Sequence, residues 1–377
     1  MKYIYIIAAF NAFFFIVLTF QKKPKALHDK ILIFWLFYLG LYIGIFALYS
    51  KVLFTKFPIV SASFISFLML HGPFLYLYIS SLMTTTHKLK SKNLLHFMPF
   101  ILFNLYLLIV SFSPEVSERI HLDHVENDHD SPLIFLIFLI LTALSGPVYF
   151  GASIKLFKTL DINIFNNFSY SENINLDWLR KLVYIFGFVW TLLVIITSLH
   201  HVFHVFSWIF CTNGIFLALS IFVILIGYFG LKQKEIFAYQ GKDSYVIKQK
   251  TEKYSGSGLK DSDARHYLEI LTNYMAVEKP YLDPNLNLPQ LAKDINIPIH
   301  YLSQIINEKL HNNFFNYINQ FRVEEVKSKI FDPKFENYSL LGIAMDSGFN
   351  SKSVFNRIFK KYTNQTPSQF KASLSKR

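Results

Sequence analysis

A single cysteine, Cys211, in 377 residues excludes an intrachain disulfide, and its place inside an apolar run leaves the redox compartment open. The groupings that catalysis requires are missing too. No nucleophile stands beside a candidate base, and no carboxylates converge. No glycine loop is placed to cradle phosphate, and no Cys/His quartet has zinc spacing. Neither an enzyme nor a resident cofactor is expected. Charge is also scarce: Asp, Glu, Lys and Arg make up 16% of the chain, and almost none lie inside its long apolar runs.

What is present is greasy. A hydrophobic share of 53% and an aromatic share of 18% are too high for an ordinary soluble protein. The length alone allows two or three domains. Residues 1–240 carry 17 Lys/Arg against 11 Asp/Glu, and residues 241–377 carry 20 against 14. Each part is thus +6, but the C-terminal part concentrates its charge in little more than half the length. A basic soluble tail suits a polyanion such as DNA, or an anionic lipid surface.

A helix needs about 20 mostly apolar residues to cross roughly 30 Å of hydrocarbon. Seven runs qualify: 3–20, 31–49, 59–83, 94–112, 133–157, 182–203 and 206–231. Lys2 ahead of the first run allows a signal-peptide reading. The sequence Gln21-Lys22-Lys23-Pro24-Lys25 follows without a small-residue cleavage pattern, which favours an uncleaved anchor. The loops on one side hold eleven basic residues: Lys22, Lys23, Lys25, Lys30, Lys88, Lys90, Lys92, Lys155, Lys158, Arg180 and Lys181. The other side holds four, namely Lys2, Lys51, Lys56 and Arg119, together with the acidic loop 115–130. The positive-inside rule puts the richer set in the cytoplasm. Seven spans then leave the N-terminus outside and the C-terminal tail in the cytoplasm.

Gly72-Pro73 and Gly146-Pro147 are expected to interrupt the third and fifth spans, because proline removes a backbone donor. Either packing kinks or the lining of a ligand cavity would use them. His71, beside the first kink, is the one ionisable side chain deep in a span; it is a functional candidate or a neutral histidine bonded to a neighbouring helix. His121, His124, His129, His200, His201 and His204 gather near the outer face. The i,i+4 pair His200 and His204 has metal-ligand spacing without an evident third ligand, so solvated interfacial histidines are the simpler reading.

Residues 232–262 read as a basic juxtamembrane linker ending in Ser255-Gly256-Ser257-Gly258, and 263–377 as a separate domain. Tyr267, Leu268, Ile270, Leu271, Tyr274 and Met275 have helical periodicity from about Asp263 to Val277. Two later segments repeat one pattern. A small residue, Ala292 or Ala344, is followed four positions on by one tolerant of positive φ, Asn296 or Gly348. Matching core faces follow, Leu302/Ile305/Ile306 and Phe355/Ile358/Phe359. Alanine lets two helices cross closely and Asn or Gly permits the sharp turn, which is the chemistry of a helix-turn-helix. Between the repeats, 314–331 reads as a connecting helix stopped by Asp332-Pro333, and Thr366-Pro367 starts a last short helix.

The string Ile343-Ala344, Ser347-Gly348-Phe349, Ser353, Phe355, Arg357, Phe359-Lys360-Lys361, Thr366-Pro367, Phe370 resembles the DNA-binding domain of AraC/XylS-family bacterial transcription regulators over about residues 263–374. His71-Gly72-Pro73 and Leu95-His96-Phe97-Met98-Pro99 resemble the multi-span sensor of that family's membrane-bound members. His311 and Asn364 stand where the family often has Gly, and Pro298 where a Ser or Thr cap is common. The resemblance implies that helices starting near Pro298 and Asn350 enter successive major grooves. His300, Tyr301, Ser303 and Gln304 would read bases from the first helix, and Ser351, Lys352, Ser353, Asn356 and Arg357 from the second. Arg357 is placed on a guanine or on a phosphate; Lys360 and Lys361, later in the helix, are placed on phosphate.

The expected fold is all-α, with a seven-helix transmembrane domain and a double helix-turn-helix. The expected function is a one-component membrane transcription regulator answering a small-molecule or envelope signal. Its partners would be promoter DNA and the lipid bilayer, RNA polymerase if it activates, and a second copy if it dimerises. The alternative is a transporter or channel whose cytoplasmic tail binds a protein. The scarcity of charge inside the spans counts against that alternative.

Overall fold

The computed structural model describes residues 1–48, 57–83, 89, 91–117, 119–120, 132–172, 174–203, 208–233 and 259–374. Among these the regular structure is helical; the sole β pairing is an isolated antiparallel bridge between Phe168 and Asn287. The chain forms two compact units. The first comprises Met1–Phe157 and Leu176–Tyr239, the second Lys158–Asn175 and Gln240–Arg377.

In the first unit, α1 (Lys2–Gln21), α2 (Leu27–Ala47) and α3 (Pro58–Ser66) are followed by a tight 3-10 turn, Phe67–Leu70, and α4 (His71–Leu82). Then come α5 (Met98–Val110), α6 (Leu133–Asn167, of which the part after Phe157 belongs to the second unit), α7 (Asp177–Phe203) and α8 (Trp208–Lys232). Six described stretches are long and apolar enough to cross a membrane: Lys2–Gln21, Leu27–Ala47, Pro58–Leu82, Ser91–Val110, Leu133–Asn167 and Thr212–Lys232. They cover six of the seven runs. The remaining run, 182–203, is helical within α7, whose first turns carry Asp177, Arg180 and Lys181.

Small residues set the close approaches in this unit. Helix α1 packs on α2 and α8. A Cβ on Gly40 would lie 3.1 Å from that of Ala12, and one on Gly227 would lie 2.3 Å from the Phe15 ring. Such contacts let helices associate where surrounding lipid would supply no hydrophobic contrast. At the ends of these helices, buried Asp29 accepts from Lys22 Nζ at 2.7 Å and from the Ala26 amide at 2.9 Å. Lys22 also donates to Gln233 O at 2.6 Å, tying the α1–α2 turn to the end of α8.

The two Gly-Pro pairs behave differently. Ahead of Gly72-Pro73 the helix tightens into the 3-10 turn, whereas Pro147 sits inside the unbroken 35-residue α6. The expected interruption at Pro147 is therefore corrected to a proline carried within a continuous helix. Both glycines seat aromatic rings: a Cβ on Gly72 would meet Tyr149 at 2.4 Å, and one on Gly146 would meet Trp190 at 1.9 Å. His71 is bonded to a neighbouring helix, its Nε2 lying 2.9 Å from the Tyr38 hydroxyl. That hydroxyl donates its one hydrogen to Phe67 O at 2.7 Å, so His71 must be the donor of the pair. His121, His124, His129 and His204 lie outside the described residues, as do the side chains of His200 and His201 and most of the linker and acidic loop. Among the described residues no group of three metal-ligating side chains occurs.

The second unit contains α9 (Asp261–Val277), α10 (Leu288–Asp294), α11 (Ile299–Gln304), α12 (Phe314–Phe331), α13 (Leu340–Asp346), α14 (Lys352–Thr363) and α15 (Pro367–Leu374). Its two apolar cores share α12. Phe314, Tyr317 and Ile318 face a core built with α9, α10 and α11, while Phe315, Val323 and Val326 face one built with α13 and α14. One helix, apolar toward two different cores, thus holds both repeats. Asp332-Pro333 ends it as expected, the Asp332 side chain capping the next turn through Lys334 N.

Candidate nucleic-acid interface

The two helix pairs, α10–α11 and α13–α14, are built alike. Asn296 adopts φ 52° and Gly348 φ 90°, and each turn is closed by the same bond. The Ile297 amide donates to Ala292 O at 2.9 Å, and the Phe349 amide donates to Ala344 O at 3.1 Å. This bond from three residues past the last helical residue back to the last turn satisfies a carbonyl that would otherwise be left open. Ala292 and Ala344 are buried at the crossing points. The tandem repeat expected from two alanines and two turn residues is thus present in the backbone.

The second helix of each pair starts differently. Ser351 caps α14, its Oγ accepting from the Val354 amide at 3.3 Å. Pro298 precedes α11 with no side-chain cap, as its lack of a polar side chain requires. Left-handed residues also close later turns: His311 at φ 49° and Asn364 at φ 58°, the latter as the C-cap of α14. Helix α15 opens with a reciprocal cap. Gln369 N donates to Thr366 Oγ1 at 3.3 Å, and Thr366 N donates to Gln369 Oε1 at 2.9 Å.

The proposed reading residues do not all face outward. On α14, Lys352, Ser353, Asn356, Arg357, Lys360 and Lys361 are exposed, opposite the buried Val354, Phe355, Ile358 and Phe359. This clean division comes from the 3.6-residue period. Lys361 is already engaged, donating to Asn316 Oδ1 on α12 at 3.0 Å. Ser351 is 6% exposed in its capping role. On α11, His300 is exposed and Tyr301 is half-buried, stacked on Tyr267 at 6.2 Å. Gln304 donates to Glu308 at 2.8 Å. Ser303 is 2% exposed and receives Asn307 Nδ2, so its hydroxyl is not presented at the surface.

Behind this surface lies a residue whose role periodicity alone does not reveal. Arg322 of α12 is 1% exposed and uses its whole fork. Its Nε donates to Tyr281 O at 2.8 Å, and its terminal nitrogens reach Ser169 O at 3.0 Å, Ser169 Oγ at 2.9 Å and Asp283 O at 2.7 Å. Burial pulls its pKa down to about 9, partly opposed by Asp283, so it remains charged at neutral pH. The planar guanidinium suits this convergence of acceptors.

Residues 291–373 match the family described as a helix-turn-helix domain. An uncharacterized HTH-type transcriptional regulator of Staphylococcus aureus (strain COL) is 31% identical over 87 residues, 23% of this chain and 11% of that protein. The protein of the same description from strain MRSA252 gives the same identity and coverage. An uncharacterized HTH-type transcriptional regulator of Pseudoalteromonas carrageenovora is 27% identical over 134 residues, 34% of this chain and 76% of that protein. The match thus spans about a tenth of the length of the staphylococcal relatives. No solved structure matches. On the paired turns, the exposed face of α14 and these similarities, the C-terminal part of the chain holds a helix-turn-helix domain similar to the DNA-binding domains of transcription regulators.

Proposed function

We propose that this chain is a one-component transcription regulator that stays embedded in the bacterial inner membrane, with residues 1–231 as sensor and the helix-turn-helix domain in the cytoplasm. The observation that carries the reading is the presence, in one chain, of six membrane-length apolar helical stretches among the described residues and a tandem helix-turn-helix. Two further features support it. The first unit leaves large apolar side chains exposed along its helices, among them Phe10, Phe34, Ile109, Leu133 and Phe188, a surface that water disfavours and acyl chains do not. The eleven-to-four loop bias favours the side on which DNA is found.

In this reading His300, Tyr301 and Gln304 of α11, with Lys352, Ser353, Asn356 and Arg357 of α14, face base edges, and Lys360 faces phosphate. Ser351 and Ser303 support the helices that carry them. A second copy and RNA polymerase would complete the assembly at an activated promoter, and a small molecule or envelope stimulus would act on the first unit. The test is to purify the full chain from washed membranes and select duplexes from a random pool. Recovery of a defined site with two helix-turn-helix-sized elements is expected. A chain found in the soluble fraction, or one enriching no sequence, would contradict the proposal.

A further inference from the structure

The second unit includes a piece of chain far from it in sequence, Lys158–Asn175, and this piece is firmly seated. The Phe165 ring meets Phe315 of α12 edge-on at 5.1 Å. Phe168 pairs with Asn287, and the Ser169 amide and hydroxyl donate to Leu286 O at 3.2 and 2.7 Å. Ser169 O in turn accepts from Arg322 and from Asn319 Nδ2, both at 3.0 Å. Three residues further on, the Glu172 carboxylate accepts hydrogen bonds from the hydroxyls of Ser351 and Ser353, the latter at 2.9 Å. Those two residues form the cap and first turn of α14, the helix with the exposed basic face.

We propose that Ser169–Glu172 is an intramolecular latch that places a carboxylate where α14 would receive DNA, so that the docked form binds DNA more weakly than the undocked form. This rests on the DNA-binding reading above. The N-terminus of a helix favours an anion, because its first amides are unpaired and its dipole is positive there. Glu172 supplies that anion from within the chain. It takes the Ser351 and Ser353 hydroxyls and sets a negative charge beside the path of a polyanion. The anchoring at Phe165, Phe168 and Ser169 fixes the backbone only a few residues away, so the carboxylate is delivered by a held loop rather than by a free side chain. Helix α6 runs from residues of the first unit to Asn167, two positions before the latch, which gives a covalent route by which a stimulus there can pull on it.

The experiment uses the full-length protein in lipid nanodiscs and a fluorescein-labelled pool of duplexes with a 30-bp random core, titrated at fixed low salt. Glu172→Gln keeps the size of the side chain and removes its charge; it is expected to bind the pool at least about threefold more tightly than the unsubstituted protein. A second variant locks the loop. The Ser169-to-Leu286 bond makes Phe168 and Asn287 a non-hydrogen-bonded antiparallel pair, whose Cα atoms stand about 4.5 Å apart, within disulfide range. Phe168→Cys with Asn287→Cys, in a Cys211→Ala background, is expected to bind several-fold more weakly oxidised than reduced. Comparing two redox states of one protein cancels any folding cost of the substitutions. Unchanged or weaker binding by Glu172→Gln, or equal affinity in both redox states, would overturn the latch while leaving the DNA-binding reading intact. No binding by any form would remove that reading and the latch with it.

Discussion

Gly348 and Arg322 meet at one point. A Cβ on Gly348 would lie 2.2 Å from Tyr281 O and 2.9 Å from Arg322 Nε, at a φ that side chains seldom adopt. Gly348→Ala therefore adds left-handed strain, about 1–2 kcal/mol, to a backbone clash. A loss of at least about 2 kcal/mol is expected, visible in calorimetry as a fall in Tm of the second unit of roughly 5–10 °C. Arg322→Lys retains the charge but has a single nitrogen in place of the fork that serves Tyr281, Asp283 and Ser169. Urea unfolding should show a cost of roughly 2–3 kcal/mol from buried acceptors left open. An unchanged midpoint would mean that other donors replace the guanidinium.

At the scale of the element, α14 divides sharply between a buried aromatic face and an exposed polar one, and the roles along it are separable. Arg357→Ala is expected to relax preference at one or a few base pairs. Lys360→Ala should weaken all duplexes alike and lower the salt slope by about one. Lys360 is the better probe because Lys361 is held by Asn316. Binding titrations across salt, on matched and mismatched duplexes, distinguish the two outcomes; identical behaviour would contradict the division of roles.

The helix pairs were legible in the sequence because their determinants are local: an alanine, a residue tolerant of positive φ and a core period, with Asp332-Pro333 as the stop. The placement of Ser303 was less legible. It lies one turn before Ile306 and so stays on the buried side, although it also falls early in a helix where reading residues are sought. Its neighbour Asn307, which bonds to it, carried the available signal. The seating of Lys158–Asn175 was not legible at all. Its contacts join residues more than a hundred positions apart, and neither Ser169 nor Arg322 carries a motif that names its partner.

At the scale of the whole molecule, the long helix α6 gives the two halves of the account a common element. Its 35 residues would extend roughly 52 Å at the α-helical rise, well beyond the ~30 Å of hydrocarbon that one span must cross. Its last ten residues, Lys158–Asn167, belong to the second unit. A helix-turn-helix fragment beginning near residue 263 would lack Ser169 and leave Arg322 and Asn319 short of acceptors. Such a fragment should unfold at a lower urea concentration than the same unit in the full chain.

The most direct test of the central claim is to map the sites bound by the full chain in cells. The chain would be cross-linked to DNA, the membrane fraction isolated, and the attached fragments sequenced. The account predicts a small set of discrete sites enriched with the membranes and lost when Arg357 and Asn356 are both changed to alanine. Membranes that carry the protein but enrich no site, or the same sites recovered only with soluble protein, would contradict it.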